Sequence, residues 1–451
     1  MLKISSPTLP ARNRMLGSAG FALLIMLLIH MTKTVDRNIM GVLFEPLKAE
    51  FGVSDTLLGL VAGAIFGILH AVASLVLGHL SDRMSRVKLL SAACVLWSGL
   101  TMLCGLATSF WQLALARAGV AMAEAGSAGT AVPMIAEMFP PNRRSLATGI
   151  YFLGAPFGVL VGIGLGSWIA QNYGWRAAFS LAGFPGLLLG FLLYVCVREP
   201  KRSGPDSPQP GSTSLPAQKA SQEGIVTSIK VLLNNRPYLF LTLSCALASI
   251  PATAFGTWGT SFLIRSHQLS LQHAGLLTGL IGIGGNVLGT IFSGWLIDRL
   301  TTKNRAWQIR IPMLGLLLAT PMGLLYFLWP ADIMWQLGRL PVPTVMLFGI
   351  SFAFFTGWWI APAYSAISNL IEAERRGFAT AFFGVAFSAV GMGLGPLIVG
   401  AISDLLTPVS GVDSLRYAMA IAISTTLVAV WLMRLAIQPY QLALEAIHAK
   451  D

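Results

Sequence analysis

The stretch Gly78–Arg86, GHLSDRMSR, has a near copy in Gly294–Arg305, GWLIDRLTTKNR, and each follows a long apolar run and opens a basic loop. An offset of 216 residues carries Asp82 onto Asp298, and the same offset carries Ser54 onto Ser270, Gly59 onto Gly275 and Leu60 onto Leu276 one helix earlier. A second echo, RRSLAT from Arg143 and RRGFAT from Arg375, sits at an offset of 232. One half of the chain repeats the other. Duplication on this scale in an apolar chain is the signature of a transporter built from two parallel halves.

Composition agrees with that reading. With 55% hydrophobic residues, 11% charged residues and 47 glycines in 451 positions, the chain lies outside the range of soluble domains. Apolar runs of roughly 20 residues, the length that crosses a bilayer as a helix, recur twelve times. They fall near 17–44, 56–79, 89–108, 111–138, 145–171, 175–197, 237–264, 273–298, 309–329, 344–371, 377–405 and 415–437. The runs are continuous rather than alternating, which excludes a membrane β-barrel. The expected fold is an all-α membrane protein with twelve transmembrane helices in two six-helix bundles. Along the chain this predicts a cytoplasmic tail over 1–16, a first bundle over 17–197, a cytoplasmic linker with a short surface helix over 198–236, a second bundle over 237–437 and a cytoplasmic tail over 438–451.

The 30 basic residues set the orientation. With both termini in the cytoplasm, 22 of them face inward and only Lys48, Arg176, Arg265, Arg339 and Arg416 face outward. That asymmetry is a strong positive-inside bias, so the net charge of +12 reports topology and not a nucleic-acid surface. The predicted location is the inner (plasma) membrane, multi-pass. Cys94, Cys104, Cys196 and Cys245 fall within apolar runs and lack metal-ligand spacing, so they read as small core residues. No cofactor or metal is expected. Between Glu199 and Gly224 the chain turns rich in Pro, Ser, Gly and charge, the composition of a linker between halves. The following segment, IVTSIKVLLNNR, has helical apolar spacing with Lys230 and Arg236 interspersed, which suits a helix at the membrane surface. Glycines cluster in the fifth and eleventh runs, where they serve close helix packing or gating.

Charges inside spans cost roughly 2.5–3.5 kcal/mol each on insertion scales, so each asks for a reason. The first run carries Lys33, Asp36 and Arg37, and the fourth carries Arg117, Glu124 and, near its end, Glu137. Arg117 and Glu124 are seven residues apart and share a helix face, roughly 10 Å apart along the axis. Antiparallel first and fourth helices bring these groups to comparable depth, where they can share one polar cluster. Asp36 and Glu124 are the candidates for proton coupling, with Lys33, Arg37 and Arg117 as a substrate and charge network; a static ion-pair lock is the alternative. The seventh and tenth runs instead carry aromatics, among them Phe255, Trp258, Phe262, Phe352, Phe354, Phe355, Trp358, Trp359 and Tyr364. A cavity charged on one wall and aromatic on the other suits an amphipathic substrate, and Trp258, Phe355, Trp358 and Trp359 are assigned to it. His30 and His70 read as packing residues. The loop motif reads as a cytoplasmic gate formed by Gly78, Asp82, Arg83 and Arg86, with Asp298 and Arg299 as its second-half counterpart.

These residues resemble a known family. GxxxDRxxR after the second helix, repeated in both halves, resembles the loop signature of the major facilitator superfamily. VDRNI at Val35, FGVSDTLLGL at Phe51, AEAGS at Ala123, PMIAEMFPPNRRS at Pro133 and NYGWRAAF at Asn172 resemble its Spinster-like branch over most of the first half. The resemblance implies a proton-linked or gradient-driven carrier of lysophospholipids or sphingoid phosphates, and it places the family's acidic and arginine positions on Asp36, Arg37, Arg117 and Glu124. Ala123 stands where that branch usually has glycine, which predicts a narrower pocket. The expectation is a secondary active transporter, working by rocking of two bundles on an amphipathic lipid-like substrate, with protons and the bilayer as its other partners, no nucleic acid, and a monomeric state. Uptake of a small organic anion by proton symport, or multidrug efflux, are the alternatives. The chain carries no GxSxG, HExxH or GxxxxGK[ST], so it is not expected to be an enzyme.

Overall fold

The computed structural model describes residues 19–200, 225–331, 334–338, 340–371 and 375–448. The expected tail over 1–16 and the linker segment 201–224 lie outside the described residues, as do the side-chain surroundings of Gly78 and Asp82. Besides the short helices Phe44–Phe51 and Ile225–Asn234, twelve long helical stretches follow one another among the described residues. They are α1 (Ala19–Val42), α2 (55–83), α3 (Arg86–Cys104), α4 (110–138), α5 (141–173), α6 (175–196), α7 (Arg236–His267), α8 (271–301), α9 (Trp307–Leu328), α10 (345–370), α11 (376–410) and α12 (Ser414–His448). Nine helical segments among the described residues are long and apolar enough to cross a membrane, and two of them, Pro141–Cys196 and Phe378–Glu445, each contain two spans. The twelfth span is α4, which holds the charges expected in it. Gly174, at φ 84°, supplies the left-handed turn that separates α5 from α6. The segment after the linker is helical over Ile225–Asn234, with Leu232 in the core.

Helix starts follow local chemistry. The hydroxyls of Ser54, Ser85 and Ser109 accept from the backbone N–H of Leu57, Lys88 and Gln112, and the Asn235 side chain accepts from Tyr238. Each satisfies a donor that the first helical turn leaves unpaired. Ser270, the counterpart of Ser54 in the repeat, keeps the extended cap backbone but makes no cap bond.

The sequence predicts the fourth and tenth spans as single helices, but both are broken. α4 is interrupted at Ala125 and α10 at Gly357–Trp359. Positions 125 and 357 differ by 232, the offset of the RRSLAT and RRGFAT echo, so the interruptions are one feature inherited by both halves. Small residues at each break, AGSAG from Ala125 and Gly357 itself, weaken helix propensity there.

The two halves meet along glycine-lined seams. A methyl group added at Gly63 of α2 would stand 2.7 Å from the Gly393 carbonyl oxygen of α11, and one at Gly59 would collide with the carbonyl of Pro396. In the mirrored seam, Gly275 of α8 admits the Ser167 side chain of α5. The Gly59 to Gly275 echo thus has a physical reason: each lets its helix approach the opposite half closely, Gly59 against backbone and Gly275 against the Ser167 side chain. Each of the four seam helices also contains a wide π-type turn, at Leu60–Ile65, Val161–Leu165, Gly282–Val287 and Ala389–Leu394. Such turns recur at functional sites in helices. The other glycines of α5, Gly154, Gly158 and Gly162, pack on α1 within their own half.

Candidate functional site

α1 and α4 bring their charges together at the centre of the first half. Arg37 Nη2 donates to Glu124 Oε2 at 3.3 Å, and Arg117 Nη1 donates to the backbone carbonyl of Asp36 at 3.1 Å. Glu124 and Asp36 are fully buried, and Arg117 nearly so. The guanidinium carbons of Arg37 and Arg117 lie 5.4 and 5.2 Å from the centre of the Phe66 ring, which anchors both cations by its face. Arg117 meets the carbonyl of Asp36 and not its carboxylate. Both carboxylate oxygens of Asp36 make no hydrogen bond among the described residues, and Oε1 of Glu124 makes none either. Lys33, expected in this network, sits at its edge: its Nζ donates to Ser127 Oγ at 2.7 Å, three residues from Glu124 on α4. His30 stacks on Tyr151, with ring centres 4.5 Å apart, and His70 Nδ1 sits 3.2 Å from the Ala121 carbonyl.

A cavity of about 200 Å³ opens beside the arginines, lined by Arg37, Asn38, Phe66 and Arg117 on one side and Thr253, Thr257 and Met392 on the other. A second, of about 490 Å³, shares Asn38, Ala252 and Gly256 with it and runs between α5 and α8 over a largely apolar lining. Its rim reaches Leu153 and Ile291, both exposed on the outer surface of the spans. The two cavities thus adjoin at Asn38, Ala252 and Gly256, one with a cationic wall and the other a largely apolar arm.

The aromatic wall differs from the expected one. Phe255 and Phe352 line the apolar arm, with ring centres 5.4 Å apart. Trp258, Phe355, Trp358 and Trp359 line neither cavity. Trp258 is fully buried, meets Phe44 at a tilt with ring centres 4.5 Å apart and donates from Nε1 to the Pro396 carbonyl at 3.0 Å, so it wedges the short helix Phe44–Phe51, α7 and α11 together. Phe355 and Trp358 pack with Phe354 against Ile297 and Ile311, and Trp359 stacks on Phe387 at 5.6 Å, all within the second half. Tryptophan and phenylalanine at an interrupted helix fill the space the break leaves, a use that composition does not distinguish from cavity lining. Ala123, expected to narrow the pocket, lines a separate apolar groove among α2, α3 and α4.

Sequence reasoning missed an ionic latch at the end of the molecule where α2 begins. Arg265, in the last turn of α7, grips Asp55, the first residue of α2, through Nη1 at 2.6 Å and Nη2 at 2.9 Å, and its Nε donates to Glu45 at 2.8 Å. Lys48 Nζ and Ser403 Oγ also donate to Asp55, at 2.6 and 2.8 Å. Asp404 of α11 caps α2, accepting from the backbone N–H of Asp55 and Thr56 at 3.1 and 2.7 Å and from the Thr56 hydroxyl. Seven side chains from both halves close this end. Asp55 lay in plain view within FGVSDTLLGL; its partners 210 and 349 positions away carried no local signal. Nearby, Glu50 accepts from Arg176 and from the Trp175 indole, and these bonds hold its carboxyl below the usual carboxylate range.

At the opposite end, Arg86 Nη1 pairs with Glu137 of α4 at 2.5 Å, and Glu199 accepts from the N–H of Arg86 and Val87 at 2.8 and 3.0 Å, capping α3. Arg83 is exposed. Asp298 is exposed too, and Arg299 lies over Trp295 of its own helix, 5.6 Å from the ring centre. The two halves of the expected gate are therefore not equivalent. Among the described residues no group of three or more His, Cys, Asp or Glu side chains is placed to hold a metal ion.

Comparison with known proteins follows this geometry. Residues 22–361 match the family model of the Major Facilitator Superfamily. An MFS-type efflux pump of Mycolicibacterium smegmatis is 31% identical over 402 residues, covering 89% of this chain and 88% of that protein. The Sphingosine-1-phosphate transporter SPNS2 of Danio rerio is 28% identical over 392 residues, covering 82% and 73%. A crystal structure of a bacterial homolog to the human lysosomal transporter Spinster, inward-facing and unoccupied, shares the fold with a TM-score of 0.77 at 24% identity, covering 95% of this chain and 97% of that one. With twelve membrane-spanning helices in two repeated halves, the chain belongs to the major facilitator superfamily, as a transporter and not an enzyme, with Spinster proteins among its relatives.

Proposed function

We propose that this transporter moves an amphipathic, anionic or zwitterionic lipid-like substrate, a lysophospholipid or sphingoid phosphate, by alternating access coupled to protons. The observation that carries the reading is a pair of adjoining cavities, one lined by the cationic Arg37 and Arg117 and the other a largely apolar one reaching the exposed rim at Leu153 and Ile291. A phosphate head fits paired guanidiniums, and an acyl chain fits the arm. A small organic anion has no use for an apolar arm that reaches the outer surface of the spans, so the organic-acid alternative is the weaker one; efflux of other amphipathic compounds uses the same space.

Asp36 and Glu124 are the proton carriers in this reading. Among the described residues neither carboxylate oxygen of buried Asp36 is hydrogen-bonded, and Glu124, ion-paired to Arg37 through Oε2, leaves Oε1 without a partner, so each has an oxygen placed to take up a proton. Arg37 links the Glu124 carboxylate to the substrate end of the cavity, so substrate arrival and proton release compete for one guanidinium. The basic-residue asymmetry supports cytoplasmic termini and an inner-membrane location, which puts the Asp55 latch on the outside, and the protein acts as a monomer. Direction of transport is export.

Uptake of labelled lysophospholipid or sphingosine phosphate into proteoliposomes, with and without an imposed proton gradient, tests both parts. Gradient-dependent flux that Glu124→Gln abolishes is the expected result. Flux of neither lipid would overturn the substrate, and full gradient dependence in Glu124→Gln and Asp36→Asn alike would overturn the coupling.

A further inference from the structure

α9 and α10 are joined by a β-hairpin, Met334–Leu337 (β1) paired antiparallel with Leu340–Pro343 (β2), which turns at Gly338, φ 65°. The equivalent connection in the first half, between α3 and α4, is the five-residue turn 105–109. The fold does not need the hairpin to join its helices. β2 packs Leu340 and Val342 onto the core beside the first turns of α8, so the hairpin lies flat along the rim at the Asp55 end. β1 is the outer edge, and all four of its residues are exposed.

What β1 presents is unusual for a water-facing strand. Trp335 is 62% exposed and Leu337 74% exposed, and residues two apart on a strand share one face. The strand carries no charge. The Trp335 indole N–H is already satisfied, donating to Thr344 Oγ1 at 3.0 Å, so the ring can leave water without losing a hydrogen bond. On the helices either side of the hairpin, Leu276 and Leu280 of α8 and Leu347 and Ile350 of α10 are exposed apolar residues too, as suits a membrane-spanning chain. Tryptophan at that level is the residue type enriched where headgroups meet acyl chains.

We propose that β1 is an interfacial anchor: Trp335 and Leu337 insert into the headgroup layer of the leaflet at the Asp55 end and fix the rim of the second half there. The partner is the lipid surface itself.

The experiment labels single-cysteine additions in the otherwise native chain with an impermeant fluorescent maleimide. Cys94, Cys104 and Cys245 are buried, and the unmodified chain supplies the blank for Cys196. Leu337→Cys, Gln336→Cys and Gln268→Cys are reconstituted in phosphatidylcholine nanodiscs and quenched either with headgroup-proximal nitroxide lipid or with aqueous iodide. The label at 337 is expected to lose most of its emission to the nitroxide lipid and little to iodide, with 268 the reverse and 336 between them. Iodide quenching at 337 as strong as at 268 would overturn the proposal. So would protection of 337 from both quenchers, which would assign the strand to a protein partner or a second copy.

Discussion

Arg265 and Asp55 are 210 positions apart, yet they form a two-pronged ion pair at 2.6 and 2.9 Å that ties the end of α7 to the start of α2. The pair joins the two halves of the molecule at one end, and Asp404 adds a helix cap from α11 across the same boundary. Both features close that end of the molecule in this structure, and under the proposed alternating access they are the contacts that opening it would break.

Removing one partner should cost more than removing both. Asp55 is almost wholly buried, so Arg265→Gln leaves its carboxylate to Lys48 and Ser403 alone, a loss of about 1–3 kcal/mol. The Asp55→Asn, Arg265→Gln double variant should recover a large part of it. Thermal unfolding in detergent across the four-member cycle measures the coupling, and strictly additive losses would show that the pair does not act as a unit.

Steric demand at the seams gives a second expectation. Gly63→Ala places a methyl 2.7 Å from the Gly393 oxygen and should lower transport about tenfold by holding α2 off α11. Gly99→Ala and Gly149→Ala, with nothing within 4 Å of the added carbon, should leave transport unchanged or stabilise their helices. Equal losses at all three positions would point to general helix damage.

Arg117→Lys keeps the charge but loses the planar fork that reaches the Asp36 carbonyl while lying over Phe66. Apparent substrate affinity should fall about tenfold, equivalent to roughly 1.4 kcal/mol. Phe66→Leu, which removes the ring under both guanidiniums, should weaken affinity by a smaller factor. Concentration dependence of uptake for the two variants checks the order of these effects.

Glu50 supplies a pH test outside the spans. Its carboxyl is held below the usual range by Arg176 and Trp175, so its contribution is present above the ordinary carboxylate pKa, about 4.3, and is lost as pH falls through the lowered value. Protection of the α5–α6 turn, taken relative to intrinsic amide exchange at each pH, should fall with acid in the native chain and be low at every pH in Glu50→Gln. Identical profiles would remove the pair from any account of that turn.

The span count and the duplication were legible in the sequence because hydrophobic length and internal repetition are properties of the chain read in one dimension. The charged positions in α1 and α4 were legible for a related reason: a charge in an apolar run is costly wherever the run packs, and helix periodicity alone puts Arg117 and Glu124 on one face. Even there the pairing needed coordinates, since Arg117 takes the carbonyl of Asp36 and Lys33 turns to Ser127.

Only the tertiary structure decided which faces meet. Trp258, Phe355, Trp358 and Trp359 are as apolar and as large as Phe255 and Phe352, and nothing in their spacing separates a ring that plugs a broken helix from one that lines a cavity. The latch shows the same limit from the polar side: Asp55, Arg265 and Asp404 each look like an ordinary charge at a helix end, and their meaning comes from the closure that brings three distant helix ends together. Local pattern specifies each helix and its depth in the bilayer, while contacts between distant helices depend on how two rigid bundles dock, a choice made by steric fit at Gly59, Gly63 and Gly275 and by ion pairs that form only once that fit is achieved.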